Sequence, residues 1–373
     1  MLMVRSRGGN DDRRPSRWAE ALVQDADVID MHVDTFIPMR LFRYDPSRRH
    51  QPSRFGGYLF GHLDLPRMKE AGLTGAMWSI STNPLRGEEG RRRALAANIA
   101  RLRSSLASSD EVDEVSSLDG YKAARARGRQ AAMPAIQGGN ALDADAREGR
   151  LPDPAITRVT LVHLTDSRIG GTSSPIGASR HLTDHGAGLI EMLDEARVFV
   201  DLAHIHPDGF WEAFVVHNRR LPLLVTHTGV RGVKSHWRNL CDAQLRAVAE
   251  TGGVVGIMFH RGFLRRPGGP GDSGMVAEHI LHAIKVAGRD AVGIGSDYDG
   301  FIVPPKDLRS GAGYAPLTQS LADRGLDEEA IRKVLGLNFL RALGEMRPSA
   351  PAPRRRLPAS RHPRLVGPCL SAG

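Results

Sequence analysis

The chain is 373 residues long, 41% hydrophobic and 25% charged, with a formal net charge of +9, the balance of a globular protein with one large core. The positive excess lies at the ends: residues 1–18 hold five Arg against two Asp, residues 347–373 hold six Arg and no acid, and 19–346 is formally neutral. A basic nucleic-acid-binding face is therefore not expected, and the lack of any run of about 18 apolar residues argues against a membrane span.

Segment 1–18 is Arg-rich without an apolar stretch, so it reads as a disordered basic tail and not as a secretory signal. It leads into a single body, 19–346. Residues 18–24 have the spacing of a short helix, and 27–34, Asp-Val-Ile-Asp-Met-His-Val-Asp, is an apolar run ending in His32 and Asp34. On a strand, positions i and i+2 share a face, so these two side chains project together. Residues 35–60 mix Arg, Tyr, Phe, Gly and Pro without a period and read as a rim loop. A short helix up to Ala71 precedes a strand at 74–81. Helix 88–107 follows, with Arg91, Arg92 and Arg93 on its solvated face, then a helix capped by Ser117. Strand 131–138 runs into Gln137-Gly138-Gly139-Asn140, and strand 157–164 carries His163 ahead of a Gly/Ser/Thr-rich loop, 170–179.

Helix 184–196 leads to strand 198–204, ending in His204, and helix 207–217 leads to strand 221–228, bearing His227. Arg238 lies in a loop, 232–239. Strand 254–261 and a Gly/Pro-rich loop, 265–274, precede the last strand, 291–297, which ends in Asp297 with Asp299 just beyond. The final helix, 327–345, has Ile331, Val334, Leu335, Phe339 and Leu340 spaced to pack on the outside of a larger core. The tail 347–373 is rich in Pro and Arg, lacks the apolar content to pack and reads as disordered. His181, His185, His206, His217 and His236 read as surface or helix residues. Two cysteines, Cys241 and Cys369, make no disulfide framework and fit a reducing, cytoplasmic setting.

Eight apolar, β-branched-rich runs, most of them separated by helical segments, imply parallel pairing through right-handed crossovers and hence a (β/α)8 TIM barrel. In that fold the C-terminal strand ends meet at one mouth. They would bring together His32, Asp34, Gln137, His163, His204, His227 and Asp297. Neutral imidazoles with carboxylates are the donor set of zinc or a similar divalent ion. A metal-dependent hydrolase site is therefore expected.

These residues resemble the membrane (renal) dipeptidases, peptidase family M19 of the amidohydrolase superfamily. The likeness covers about residues 27–345. It rests on His32-x-Asp34, Asp64-Leu-Pro-Arg67, Trp78-Ser79, Asp201-Leu-Ala-His204, Thr226-His227, Arg238-Asn239 and Gly295-Ser-Asp297-Tyr-Asp299-Gly300. It implies hydrolysis of a dipeptide or dipeptide-like small molecule with one or two Zn2+. His32 and Asp34 would bind one zinc and His204 and His227 the other, with a strand-three glutamate as bridge. His163 would steady the developing oxyanion, Arg238 would hold the substrate carboxylate, and Asp297 would handle the proton. Asp299 is placed on the substrate side, either as an orienter or as a turn residue. Family members are often dimers, so a homodimer is compatible with the resemblance.

The chain departs from the family at the bridge, where Glu-Gly-Gly-His is replaced by Gln137-Gly138-Gly139-Asn140. Two dications about 4 Å apart repel by roughly 16 kcal/mol at an effective dielectric near 20. A carboxylate offsets part of this, whereas a neutral amide offers a dipole and one good ligand oxygen. Three outcomes stay open: two metals with Gln137 as a weak ligand, one metal held at His204/His227 or at His32/Asp34, or a catalytically idle metal-binding homologue. Strand seven departs as well, reading Met258-Phe259-His260 where many family dipeptidases have Asn-Phe-Tyr, which leaves an N-acyl amino acid or a lactone as alternative substrates.

Overall fold

The computed structural model describes residues 14–51, 58–311 and 313–349. Most of the two expected tails, 1–13 and 350–373, lies outside the described residues. Among the described residues nine strands form one parallel sheet: β1 (Ile29–Val33), β2 (Gly75–Ser81), β3 (Val112–Glu114), β4 (Gln130–Gln137), β5 (Arg158–Thr160), β6 (Phe199–Asp201), β7 (Leu224–Thr228), β8 (Val254–Ile257) and β9 (Val292–Ile294). Their order is β2-β1-β9-β8-β7-β6-β5-β4-β3, and pairing of β2 with β4, from Gly75↔Ala131 to Ser81↔Gln137, closes an eight-stranded ring. With helices between the strands this is the expected TIM barrel. Strand β3 was not anticipated. It pairs with the N-terminal half of the β4 edge that β5 uses further along, and three residues are too few to show a period.

All residues of the eight barrel strands are buried, as expected where helices cover one face and the barrel interior the other. The interior is layered. Ile29, Met31, Met77, Met133, Phe199, Leu224 and Val254 form an apolar floor, closed from below by Phe339 of the C-terminal helix Asn338–Met346. Above it sits a polar layer of Ser79, Arg158, Thr160, Asp201 and Thr226, all buried. Above that lies the mouth.

Two β-bulges separate floor from mouth. Along β1 the register runs Asp30↔Ala76 and then Val33↔Trp78, so three steps on β1 match two on β2. The extra residue reverses the inward–outward phase. Ile29 and Met31 point into the floor, yet His32 also faces inward and reaches Ser79 Oγ at 3.2 Å. Asp30 supports the bulge by accepting from the backbone N–H groups of His32 and Ser296. β7 repeats the device, from Val225↔Val255 to Thr228↔Ile257. There the Thr226 carbonyl comes so far inward that a Cβ at Gly256 or Gly295 would lie 2.0 or 1.8 Å from its oxygen, so both positions must be glycine.

The helices follow the expected pattern. Glu88–Ala107 forms as read, Ser117 caps Leu118–Ala126 by accepting from Gly120 N, and Thr183 caps Asp184–Glu195 the same way. The stretch read as loop at 35–60 contains a helix, Phe36–Phe42, whose first four residues are buried. The expected 327–345 helix is interrupted by a π-helical turn at Lys333–Leu337, where Gly336 packs against the Asp27 carbonyl. Described structure is also present within both expected tail segments. A helix begins at Arg17, and Arg347 donates to the carbonyls of Arg197, Ser116, Pro154 and Ile156. No helix among the described residues is long and apolar enough to cross a membrane.

Candidate active site

The mouth gathers the expected residues from six strands and the loops that follow them. His163 and His204 lie beyond the last paired residues of β5 and β6. His204, Asp297 and Asp299 all have positive φ, at 69°, 63° and 67°. Non-glycine residues held in this conformation cost on the order of 1–3 kcal/mol each, and the side chains of His204 and Asp297 line the cavity at the mouth.

His32 Nε2 lies 3.6 Å from Asp34 Oδ1 and 3.7 Å from Asp297 Oδ1. The rings of His32 and His227 stack with centroids 3.7 Å apart, and His204 Nε2 lies 2.8 Å from His227 Nε2. One atom each from His32, His227 and Asp297 falls within 4.8 Å of the other two. The family resemblance implies a proton-handling role for Asp297, and the geometry sets it among the metal-capable groups as well. Gln137 lies at the bottom of the mouth. In the orientation that satisfies its neighbours, its amide nitrogen donates to Asp34 Oδ1 at 2.8 Å and Oδ2 at 3.3 Å. Its oxygen then faces His32 Nε2 at 3.3 Å and His163 Nε2 at 3.2 Å.

The polar layer below orients these ligands. Asp201 accepts from Arg158, Thr160 and Thr226. Because the Thr226 hydroxyl gives its proton to Asp201, it accepts from His227 Nδ1, 2.9 Å away. That fixes the tautomer in which His227 Nε2 carries the lone pair. Arg158 also donates to Ser79 Oγ, which touches His32 Nδ1, so one buried guanidinium supports both stacked histidines. Arg158 has no role in the family motifs quoted above. An arginine within an apolar strand was the available signal.

Burial pulls the pKa values of His32, His204 and His227 well below the usual imidazole range, with nearby guanidinium groups adding to the effect. Burial likewise takes His163 down to about 4. All four are therefore neutral, the form that ligates metal. Burial pushes the Asp34 carboxyl up to about 7 and Asp297 well above its usual range, each carboxylate adding to or sharing the strain of its acidic neighbours. Such carboxyls favour a nearby cation. The donor set of imidazole nitrogens and carboxylate oxygens thus fits a divalent transition metal.

Arg238 is buried against the site, its Nη2 donating to the His227 carbonyl at 2.6 Å. It lines the cavity together with Asp34, Gln137, His163, His204 and Asp297, under a rim of Leu164, Trp237, His260, Phe263 and Phe301. Trp237, Phe263 and Phe301 were not singled out from sequence. Asp299 does not line this cavity. It is fully buried, accepts from Thr35 Oγ1 at 2.6 Å and His62 N at 2.9 Å, and so organises the loop after β9. His217, read as a surface or helix residue, is buried beside Asp194 and the Leu221 carbonyl.

The model of the membrane dipeptidase family, peptidase family M19, matches residues 16–354. An uncharacterized protein in the pqqA 5′ region of Klebsiella pneumoniae is 36% identical over 165 residues, 43% of this chain and 60% of that protein. An uncharacterized dipeptidase of Schizosaccharomyces pombe is 33% identical over 190 residues, 49% of this chain and 45% of that protein. The chain thus spans about half the length of these curated relatives. The crystal structure of dipeptidase AC, a metallopeptidase of family M19, superposes with a TM-score of 0.74 at 26% identity, covering 86% of this chain and 98% of that one. From residue 16 to residue 354, this chain belongs to the membrane dipeptidase family, peptidase family M19.

Proposed function

We propose that the protein is a metal-dependent hydrolase that cleaves the amide bond of a dipeptide or dipeptide-like molecule, with zinc as the metal. The observation that carries the reading is the convergence of His32, His227 and Asp297 within 4.8 Å at the barrel mouth, beside a buried arginine, in a chain of a dipeptidase family. His32, Asp34, His204, His227 and Asp297 would hold the metal. When bound, it supplies a Lewis acid and a water acidified toward neutrality.

The chain's own residues do the rest. Asp297 takes the proton of the attacking water and passes it to the leaving amine. His163, neutral and facing the cavity, donates a hydrogen bond to the oxygen that gains charge. Arg238 grips a substrate carboxylate, by two parallel bonds where the pose allows. The apolar rim of Leu164, Trp237, Phe263 and Phe301 shields the bond being cleaved from water. Release of amine from a panel of dipeptides by the zinc-loaded protein tests this reading, and no turnover with any added divalent metal would remove it. His260 in the rim, where many family dipeptidases have Tyr, leaves a second reading, in which the same machinery hydrolyses an N-acyl amino acid or a lactone. Including those compounds in the panel separates the two.

A further inference from the structure

We propose that this mouth takes a single divalent cation, not the carboxylate-bridged pair expected of a two-metal site. The inference rests on the hydrolase reading for the chemistry of the site but not for its stoichiometry, which follows from three observations.

Where the family resemblance implies a bridging carboxylate the chain has Gln137, a neutral amide set against Asp34, His32 and His163. Its nitrogen is a donor and lies 2.8 Å from Asp34 Oδ1, while its one good ligand oxygen already faces His32 and His163. It cannot supply an anionic oxygen to each of two metals.

The ligating atoms have also merged into one cluster. His32, from one expected pair, and His227, from the other, stack at 3.7 Å and share a 4.8 Å cluster with Asp297. Donors about 2.0–2.2 Å from a common ion fit such spacing after a slight contraction.

Charge points the same way. The carboxylates of Asp34 and Asp297 balance one dication. Asp201 is paired with Arg158, Asp299 is committed to Thr35 and His62, and the buried Arg238 adds positive charge. The remaining buried carboxylate beneath the mouth, Asp30, is taken up by the backbone N–H groups of His32 and Ser296 and by the Tyr314 hydroxyl, so a second dication would find no uncommitted carboxylate among these residues.

Metal content of the purified full chain after saturation with zinc chloride and removal of excess tests this. One equivalent is expected for the wild type, and manganese loading should give the electron paramagnetic resonance of an isolated ion. Gln137→Glu should take up two equivalents and show an exchange-coupled spectrum. Two equivalents in the wild type, with turnover intact, would overturn the stoichiometry and leave the hydrolase reading standing. No bound metal and no turnover would remove both. The wild-type measurement decides the matter even if the variant fails to fold.

Discussion

Arg158 Nη1 donates to Asp201 Oδ2 at 2.9 Å in the middle of the barrel, and both side chains are fully buried. The pair touches neither solvent nor the cavity, yet it stands between the apolar floor and the ligands of the mouth. Removing one partner of a buried ion pair leaves an uncompensated charge and typically costs about 3–5 kcal/mol. Arg158→Met should therefore destabilise the protein by that amount in urea or guanidinium titration. The double variant Arg158→Met with Asp201→Leu should recover much of the loss, because no buried charge then remains. A loss below about 1 kcal/mol for the single change would show that the surrounding hydroxyls carry Asp201 unaided.

Thr226 should act on metal binding and not on the substrate. Its hydroxyl donates to Asp201 at 2.7 Å and accepts from His227 Nδ1 at 2.9 Å. Thr226→Val keeps the shape but removes both bonds and frees the His227 tautomer. Changes of this kind next to a ligand lower metal affinity by about 10–100-fold. Zinc competition with a chromogenic chelator should show that loss, with the far-ultraviolet circular dichroism unchanged. Equal affinity in the two proteins would mean that the tautomer of His227 is fixed elsewhere.

The barrel was legible because eight short apolar runs alternate with helices, a pattern that few architectures satisfy. The identity of the mouth residues was legible for the same reason: His32, Asp34, Gln137, His163, His204, His227 and Asp297 all stand at or just beyond strand ends. What the pattern hid was phase. Simple alternation cannot put Met31 in the floor and His32 in the mouth on one strand. The bulge that achieves it is set by Asp30, whose carboxylate reaches the backbone of Ser296 across the chain. The helix Phe36–Phe42 was missed because Pro38 and the two flanking aromatics mask any period, and its burial comes from tertiary packing. Arg158 was missed because a charge inside a strand counts against the strand until its partner is known, and Asp201 lies 43 residues away. Asp299 belongs to the motif Gly295-Ser-Asp297-Tyr-Asp299-Gly300 as an orienter or a turn residue, and its carboxylate goes to Thr35 and His62 while Asp297 lines the cavity.

Arg238 should discriminate by substrate charge. Its guanidinium lies buried at the cavity wall, anchored through one nitrogen to the His227 carbonyl. A hydrogen bond to a charged partner contributes about 1.5–3 kcal/mol, equivalent to roughly 10–100-fold in binding. Arg238→Met should lower kcat/KM by that factor for dipeptides with a free carboxylate. It should change the rate for the matching C-terminal amides by less than about twofold. Equal losses on both substrates would assign Arg238 to structure through its carbonyl bond.

Acid stability should depend on His279, which is not one of the proposed ligands. This buried side chain bridges two backbones: Nδ1 accepts from Val230 N at 2.9 Å and Nε2 donates to the Leu264 carbonyl at 3.0 Å. Burial takes its pKa from 6.5 down to about 4. Between those values the unfolded chain binds a proton that the folded chain refuses, so stability rises with pH through this window and falls on acidification. The full difference is about 3 kcal/mol at 1.36 kcal/mol per pH unit. Below about pH 4 both states are protonated and the loss from this group levels off. His279→Leu should be less stable at pH 7, because Val230 N and the Leu264 carbonyl lose their partner at about 1–3 kcal/mol each. Its stability should nevertheless fall less steeply than that of the wild type between pH 6.5 and 4. Denaturant titrations across that range measure both slopes, and parallel curves would place the acid sensitivity in other buried histidines.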